Sequence, residues 1–270
     1  MFSLFLNCSP TERDSLIAEL HELGTEGIVE LDGGLRAFFH ASFDADTFAP
    51  FQPRWQEEPE TDWLAESRAV WKPMEVGEKL FLVPDWRDDP APPGRRRLKI
   101  HAGMASGSGY SEPTQLALEA LERHLRPSDT VLDVGAGSGI LTAAAGLLGA
   151  ARLLACEIDH EAACQAKTNL RDIPAHLWVG SPRSLAANTI HLAIANLNAV
   201  TLILLAPELK RILRKDGRLI LSGFRDRRVE RVLGTFSAFV VTQHLSRSSW
   251  HCLVLRPRQP ELNDNAGMPL

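Results

Sequence analysis

The residues best placed to do chemistry begin with Val131-Leu132-Asp133-Val134-Gly135-Ala136-Gly137-Ser138-Gly139, where an apolar run meets a glycine-rich turn. Glycines at 135, 137 and 139 let the backbone turn sharply and approach a ligand with no Cβ in the way. The spacing is GxGxG with isoleucine at 140, where a dinucleotide fingerprint carries its third glycine to seat the turn on a pyrophosphate. Asp133, two residues before the first glycine, suits a cationic or hydroxyl-rich ligand better than a phosphate. Tight packing of a strand on a helix would also select these glycines.

Three further groups narrow the choice. Cys156-Glu157-Ile158-Asp159 closes the next apolar run, and Glu157 lies 22 residues after Gly135. A carboxylate there accepts two hydrogen bonds from ribose hydroxyls, while Asp159 is placed to cap the following helix. Ala195-Asn196-Leu197-Asn198 follows a later strand. The Asn196 amide can accept a hydrogen bond from an amine and orient its lone pair, and Asn198 suits a helix cap. Gly103 to Thr114 holds three glycines and three serines before a helix, the composition of a lid, with the Thr114 hydroxyl within reach of a ligand. A turn for an amino-acid group, a ribose acceptor and an amine-facing amide together fit S-adenosylmethionine. Transfer from its activated sulfonium needs in-line positioning more than acid–base help.

These groups need strands and helices to hold them. Glu112–Leu125 is amphipathic, Thr130–Val134 is a buried strand, and Ile140–Leu148 is an alanine-rich helix. Strands at Arg152–Glu157, His176–Val179, Ile190–Asn196 and Arg218–Ser222 then alternate with helices at Glu161–Leu170, Thr201–Leu213 and Asp226–Gly234. Such alternation predicts an α/β, doubly wound sheet with helices on both faces. Phe239–His244 and Trp250–Leu255 have no helix between them and should form an antiparallel hairpin at the sheet edge.

The first forty residues read as a compact βαββ unit: a strand at Phe2–Leu6, a helix opened by the capping box Ser9-Pro10-Thr11-Glu12, and strands at Gly27–Leu31 and Leu35–Phe39 joined by Asp32-Gly33-Gly34. Residues 50–95, rich in tryptophan, proline and charge, read as a connection with helix at Thr61–Val70 and an extended piece at Lys79–Pro84. Asp88–Arg97 reads as a loose loop whose Arg95–Arg97 triplet is solvated or touches an anion.

Composition sets the outer limits. The 270 residues are 44% hydrophobic and 23% charged, the usage of an ordinary globular protein and not of a disordered chain or a disulfide-dense miniprotein. There is no apolar run of about 18 residues to span a membrane. MFSLFLNCSPTERD lacks a basic n-region, so a cytoplasmic protein without a secretory leader is expected. Four cysteines lie far apart with no CxxC pair and read as reduced thiols; the nine histidines show no ligand spacing, so no metal is expected. Residues 1–60 carry a net charge of −9 and the remainder +4. That asymmetry suits a basic partner at the acidic end, or simply a solvated face, and makes nucleic acid a poor partner there.

Set together, Asp62-Trp63-Leu64, Trp71-Lys72-Pro73, Gly103-Met104-Ala105, the Asp133–Gly139 turn, Glu157-Ile158-Asp159, Ala195-Asn196-Leu197, Leu221-Ser222-Gly223 and Trp250 resemble the ribosomal protein L11 methyltransferase family along nearly the whole chain. The resemblance implies a class I methyltransferase (Rossmann-like) domain over 101–258 and a small α+β ferredoxin-like substrate-recognition domain over 1–55. A linker over 56–100 and a tail over 259–270 complete the division. It implies S-adenosylmethionine contacts from Thr114, Gly135, Gly137, Glu157 and Asn196, with Asn196 also facing the amine. It further implies a monomer that methylates lysine or α-amino groups of basic ribosomal protein L11, docked on the acidic end without need of nucleic acid. Ser106, Ser108, Ser111 and Pro113 stand where the family's lid carries phenylalanine, threonine, histidine and threonine, and Glu157 stands where aspartate is usual. Those changes leave open another acceptor or a cofactor-binding protein without catalysis. A nicotinamide oxidoreductase is disfavoured by Ile140.

Overall fold

The computed structural model describes residues 1–9, 12–57, 72–100 and 109–258. The chain divides into two compact units, Met1–Trp71 and Lys72–Leu270.

In the first unit, β1 (Phe2–Asn7), α1 (Arg13–Glu22), β2 (Gly27–Leu31), β3 (Gly34–Phe39) and β4 (Arg54–Glu57) give an antiparallel sheet in the order β2-β3-β1-β4. The capping box forms from the Glu12 side: its carboxylate accepts from the Ser9 backbone N–H at 2.9 Å and from the Ser9 hydroxyl at 2.5 Å. Leu4 and Leu6 of β1 pack with Leu16 and Leu20 of α1 and with Leu35, Ala37 and Phe39 of β3. The helix expected over Thr61–Val70 lies outside the described residues.

The second unit opens with a three-stranded sheet, β5 (Met74–Val76), β6 (Leu80–Pro84) and β7 (Arg96–Ile100). The loop expected over Asp88–Arg97 holds as far as Arg95, and its last two residues instead open a strand: β7 runs parallel to β6. The arginines are structural. Arg95 donates to the carbonyls of Gly77 (3.0 Å) and Leu80 (2.9 Å) and pairs with Glu75 at 2.7 Å, and Arg97 donates to the Arg87 carbonyl at 2.5 Å. Charge density hides a strand whose partner supplies the pairing.

The main sheet is built from β8 (Thr130–Val134), β9 (Arg152–Glu157), β10 (Ala175–Val179), β11 (Ile190–Asn196), β12 (Leu213–Arg225), β13 (Phe239–Arg247) and β14 (Trp250–Pro257). Its helices are α2 (Glu112–His124), α3 (Ile140–Leu147), α4 (His160–Asn169), α5 (Ala199–Ile212) and α6 (Val229–Thr235). The order is β10-β9-β8-β11-β12-β14-β13, parallel throughout except that β14 runs against both neighbours. The expected edge hairpin is present, with β14 slotted between β12 and β13. Leu132, Ala193, Ala195, Leu219 and Leu221 are fully buried, as strands covered on both faces require. Strand order reverses between β8 and β11, and the crevice outside the carboxyl ends of those strands is where an open α/β sheet takes its ligands. At the other end, buried Arg218 pairs with buried Asp129 at 2.6 Å and donates to the His124 carbonyl. The four cysteines are free thiols, Cys164 exposed and the others buried.

Candidate active site

The glycine turn is fastened to the neighbouring strand before any ligand arrives. The N–H groups of Gly135 and Ala136 both donate to the Cys156 carbonyl, at 2.9 and 3.1 Å. Gly135, Gly137 and Gly139 take φ of +73°, +53° and +80°. Glu157, at the end of β9, accepts from the Gly137 N–H at 2.9 Å and from the N–H groups of Ile158 and Asp159 at 2.7 and 3.0 Å. Its carboxylate is therefore held against the turn, where a ribose diol would lie. Asp159 caps α4 through the Ala162 N–H at 2.9 Å, as its position suggests.

Beneath the turn, Asp133 is wholly buried. One carboxylate oxygen, Oδ2, accepts from the Thr142 N–H at 3.1 Å and from the Thr142 hydroxyl at 2.7 Å; Oδ1 is buried with no hydrogen-bond partner among the described residues. Burial pushes its pKa up to about 6, with the Thr142 hydrogen bonds opposing and the nearby Glu157 charge adding. A partnerless buried carboxylate oxygen calls for an ammonium or hydroxyl donor. S-adenosylmethionine carries both an ammonium and a ribose, so Asp133 and Glu157 fit its two polar ends.

On the opposite lip, the Asn196 amide nitrogen donates to the Thr114 hydroxyl at 2.9 Å, which in turn is 2.8 Å from the Ser111 hydroxyl. Thr114 is fully buried, so it stands behind Asn196 in this arrangement. The first turn of α2 is pinned there because the Ser222 hydroxyl donates to the Pro113 carbonyl at 2.8 Å. Asn198 caps α5 through the Thr201 N–H at 3.0 Å.

Leu197 links the two lips, a role its sequence neighbours do not disclose. A Cβ on Gly135 would sit 2.5 Å from Leu197 Cδ2, and one on Gly223, at φ +93°, would sit 2.5 Å from the Leu197 carbonyl oxygen. The Leu197 N–H also donates to the Ser222 carbonyl at 3.0 Å. Both glycines are thus needed for Leu197 to pass between the turn and β12.

The rim holds features that spacing alone does not reveal. Ile158 is 80% exposed and Val179, paired across from Glu157, is 53% exposed. Large apolar groups left open beside a ribose acceptor suit the flat face of a purine. The β13–β14 turn is tied to α2, with Arg247 donating to Gln115 and Glu119 (2.6 and 2.7 Å) and Ser248 donating to Glu112 at 2.7 Å. Next to it Arg225 lies over the Trp250 ring, 4.6 Å from the centroid. The lid residues Gly103–Ser108 lie outside the described residues.

The sequence profile of the ribosomal protein L11 methyltransferases matches residues 35–258. The chain belongs to the ribosomal protein L11 methyltransferase family. Relatives of that name from strains of Streptococcus pyogenes are 35% identical over 208 residues, 74% of this chain. The match spans 65% of the length of these relatives. The crystal structure of a ribosomal protein L11 methylase from Lactobacillus delbrueckii subsp. bulgaricus superposes with a TM-score of 0.65 at 27% identity, over 70% of this chain and 99% of that one. The larger unit has the class I methyltransferase fold of this family. No helix among the described residues is long and apolar enough to cross a membrane.

Proposed function

We propose that the chain is an S-adenosylmethionine-dependent protein N-methyltransferase that modifies lysine or α-amino groups of ribosomal protein L11. The observation that carries this reading is the pairing of a donor-seeking Asp133 and a turn-facing Glu157 on one lip with an oriented Asn196 on the other. Membership of the family supports the acceptor.

When bound, S-adenosylmethionine supplies a methyl group on a positively charged sulfur. Asp133 Oδ1 and the backbone of Gly135 and Gly137 would receive its amino-acid end, Glu157 its ribose, and Ile158 with Val179 its base. Thr114 takes the Asn196 amide nitrogen and so leaves Asn196 Oδ1 to accept a hydrogen from the acceptor amine, turning the amine lone pair toward the methyl. Asn196 is neutral and takes no proton. The amine must therefore arrive uncharged, and the proton released after transfer passes to solvent.

The acidic residues 1–55 form the docking end for the basic protein, residues 56–100 the connection, 101–258 the catalytic domain and 259–270 a tail, in a cytoplasmic monomer that needs no nucleic acid. Mass spectrometry of ribosomal protein L11 from the same organism, incubated with the chain and S-adenosylmethionine, tests the reading. Whole-methyl mass gains that vanish with Asn196→Ala support it. If S-adenosylmethionine binds in calorimetry and no mass is gained, the acceptor is a different one or the chain does not catalyse.

A further inference from the structure

At the end of the main sheet away from the glycine turn, a cleft of about 380 Å³ is lined by Arg126, Lys215, Asp216, Val240, Thr242 and Arg256. Arg126 precedes β8, Lys215 lies near the start of β12, Val240 near the start of β13, and Arg256 near the end of antiparallel β14. Every contributor thus sits at the amino-terminal end of the parallel strands, opposite the site described above.

The charge in this cleft is unbalanced. Arg126, Lys215 and Arg256 have no carboxylate partner among the described residues, while the one acid in the lining, Asp216, is already paired with Arg214 at 3.0 Å. The next cation inward, Arg218, is neutralised by Asp129, yet its Nε is buried without a hydrogen-bond partner. Arg218 is pushed below the usual guanidinium range by burial first, with Asp129 opposing and repulsion from Arg126 and Arg256 adding, so both lining cations lie within electrostatic reach of it. This concentration of positive charge in a chain of net −5 accounts for part of the +4 carried after residue 60.

We propose that the cleft binds a phosphate-bearing ligand through Arg126, Lys215 and Arg256. Two guanidinium forks and an ammonium facing one space match a multi-oxygen anion, which can accept from all three at once. The volume lies at the small end of ligand sites, about 300–1,000 Å³, and suits one or two phosphate groups. Val240 and Pro257 form the apolar part of the lining of this solvent-open cleft. The site is independent of methyl transfer and of its acceptor.

The test is calorimetric titration of the full chain with pyrophosphate, beside the double variant Arg126→Gln/Arg256→Gln and the single variant Lys215→Gln. The expected result is saturable binding with a Kd below roughly 1 mM, weakened about ten-fold or more in the double variant and less in the single one. Matched thermal unfolding of the three proteins shows that the surface substitutions leave the fold intact. A short single-stranded RNA distinguishes the source of the phosphate. If RNA binds with a salt slope of about −2 and pyrophosphate displaces it, the cleft reads a nucleic-acid backbone. If pyrophosphate alone binds, the ligand is a small free phosphate. Failure of pyrophosphate to saturate, or equal binding by the double variant, overturns the proposal.

Discussion

Asp133→Asn separates the part of the site that binds from the part that folds. The buried carboxyl has a pKa of about 6 against 3.8 for an ordinary aspartate, so the folded chain holds this proton more tightly than the unfolded chain between pH 4 and 6. A raised carboxyl pKa means that stability falls as pH rises through this window and stays lowered above it. Two pKa units at about 1.4 kcal/mol each put the penalty near 3 kcal/mol at pH 7.5. Asparagine removes the charge and keeps a carbonyl for both Thr142 hydrogen bonds. Its amide nitrogen then occupies the partnerless Oδ1 position at a cost of about 1 kcal/mol. In urea unfolding without S-adenosylmethionine, the variant should therefore be about 2 kcal/mol more stable at pH 7.5, with the gain gone near pH 4. Calorimetry of S-adenosylmethionine should move the other way, about ten-fold weaker or more, because the ammonium loses its counter-charge. Equal pH dependence in the two proteins, or a variant less stable at pH 7.5, would refute the reasoning.

Other substitutions probe the remaining parts. Thr114→Val removes the acceptor that orients Asn196 and should lower kcat about ten-fold in a methyl-transfer assay with little change in S-adenosylmethionine Kd, while Thr114→Ser retains most activity. Gly223→Ala puts a Cβ against the Leu197 backbone at positive φ, so a loss of about 2–4 kcal/mol is expected in urea unfolding. Asp129→Asn breaks the buried pair with Arg218 and should cost about 3–5 kcal/mol in the same measurement. With no general base at Asn196, log kcat/KM should climb with slope near one from pH 7 toward the acceptor amine's pKa, about 10 for lysine; a flat profile would point to a proton acceptor in the protein.

What could be read from sequence was chemistry carried by consecutive residues. The positive-φ glycines, the Asp159 and Asn198 caps and the carboxylate ending β9 follow from local backbone needs, and each stands where its neighbours place it. The unread features depend on distant partners. β7 is a charged Arg-Arg-Leu-Lys-Ile run that becomes a strand only against β6, and the position of β14 inside the hairpin edge is decided by pairing with β12. Thr114 meets Asn196 from 82 residues away, and Leu197 is confined by glycines on both sides of it in the chain, Gly135 in the turn after β8 and Gly223 at an irregularity within β12. Arg95, read as solvated or touching an anion, does meet the carboxylate of Glu75 and also ties β5 to β6 through the carbonyls of Gly77, in the turn between them, and Leu80, at the start of β6, contacts that periodicity does not show.

The contacts from Arg247 and Ser248 to α2 give the hairpin turn a reach beyond its own strands. Helix α2 is splinted along one side by that turn and at its first residues by Ser222, and the hydroxyl that aims Asn196 rides on the same helix. A residue added or removed among 247–249 would therefore be felt at the Asn196 amide, through α2 and the Thr114 hydroxyl, although the turn itself lies on the far edge of the sheet from Glu157.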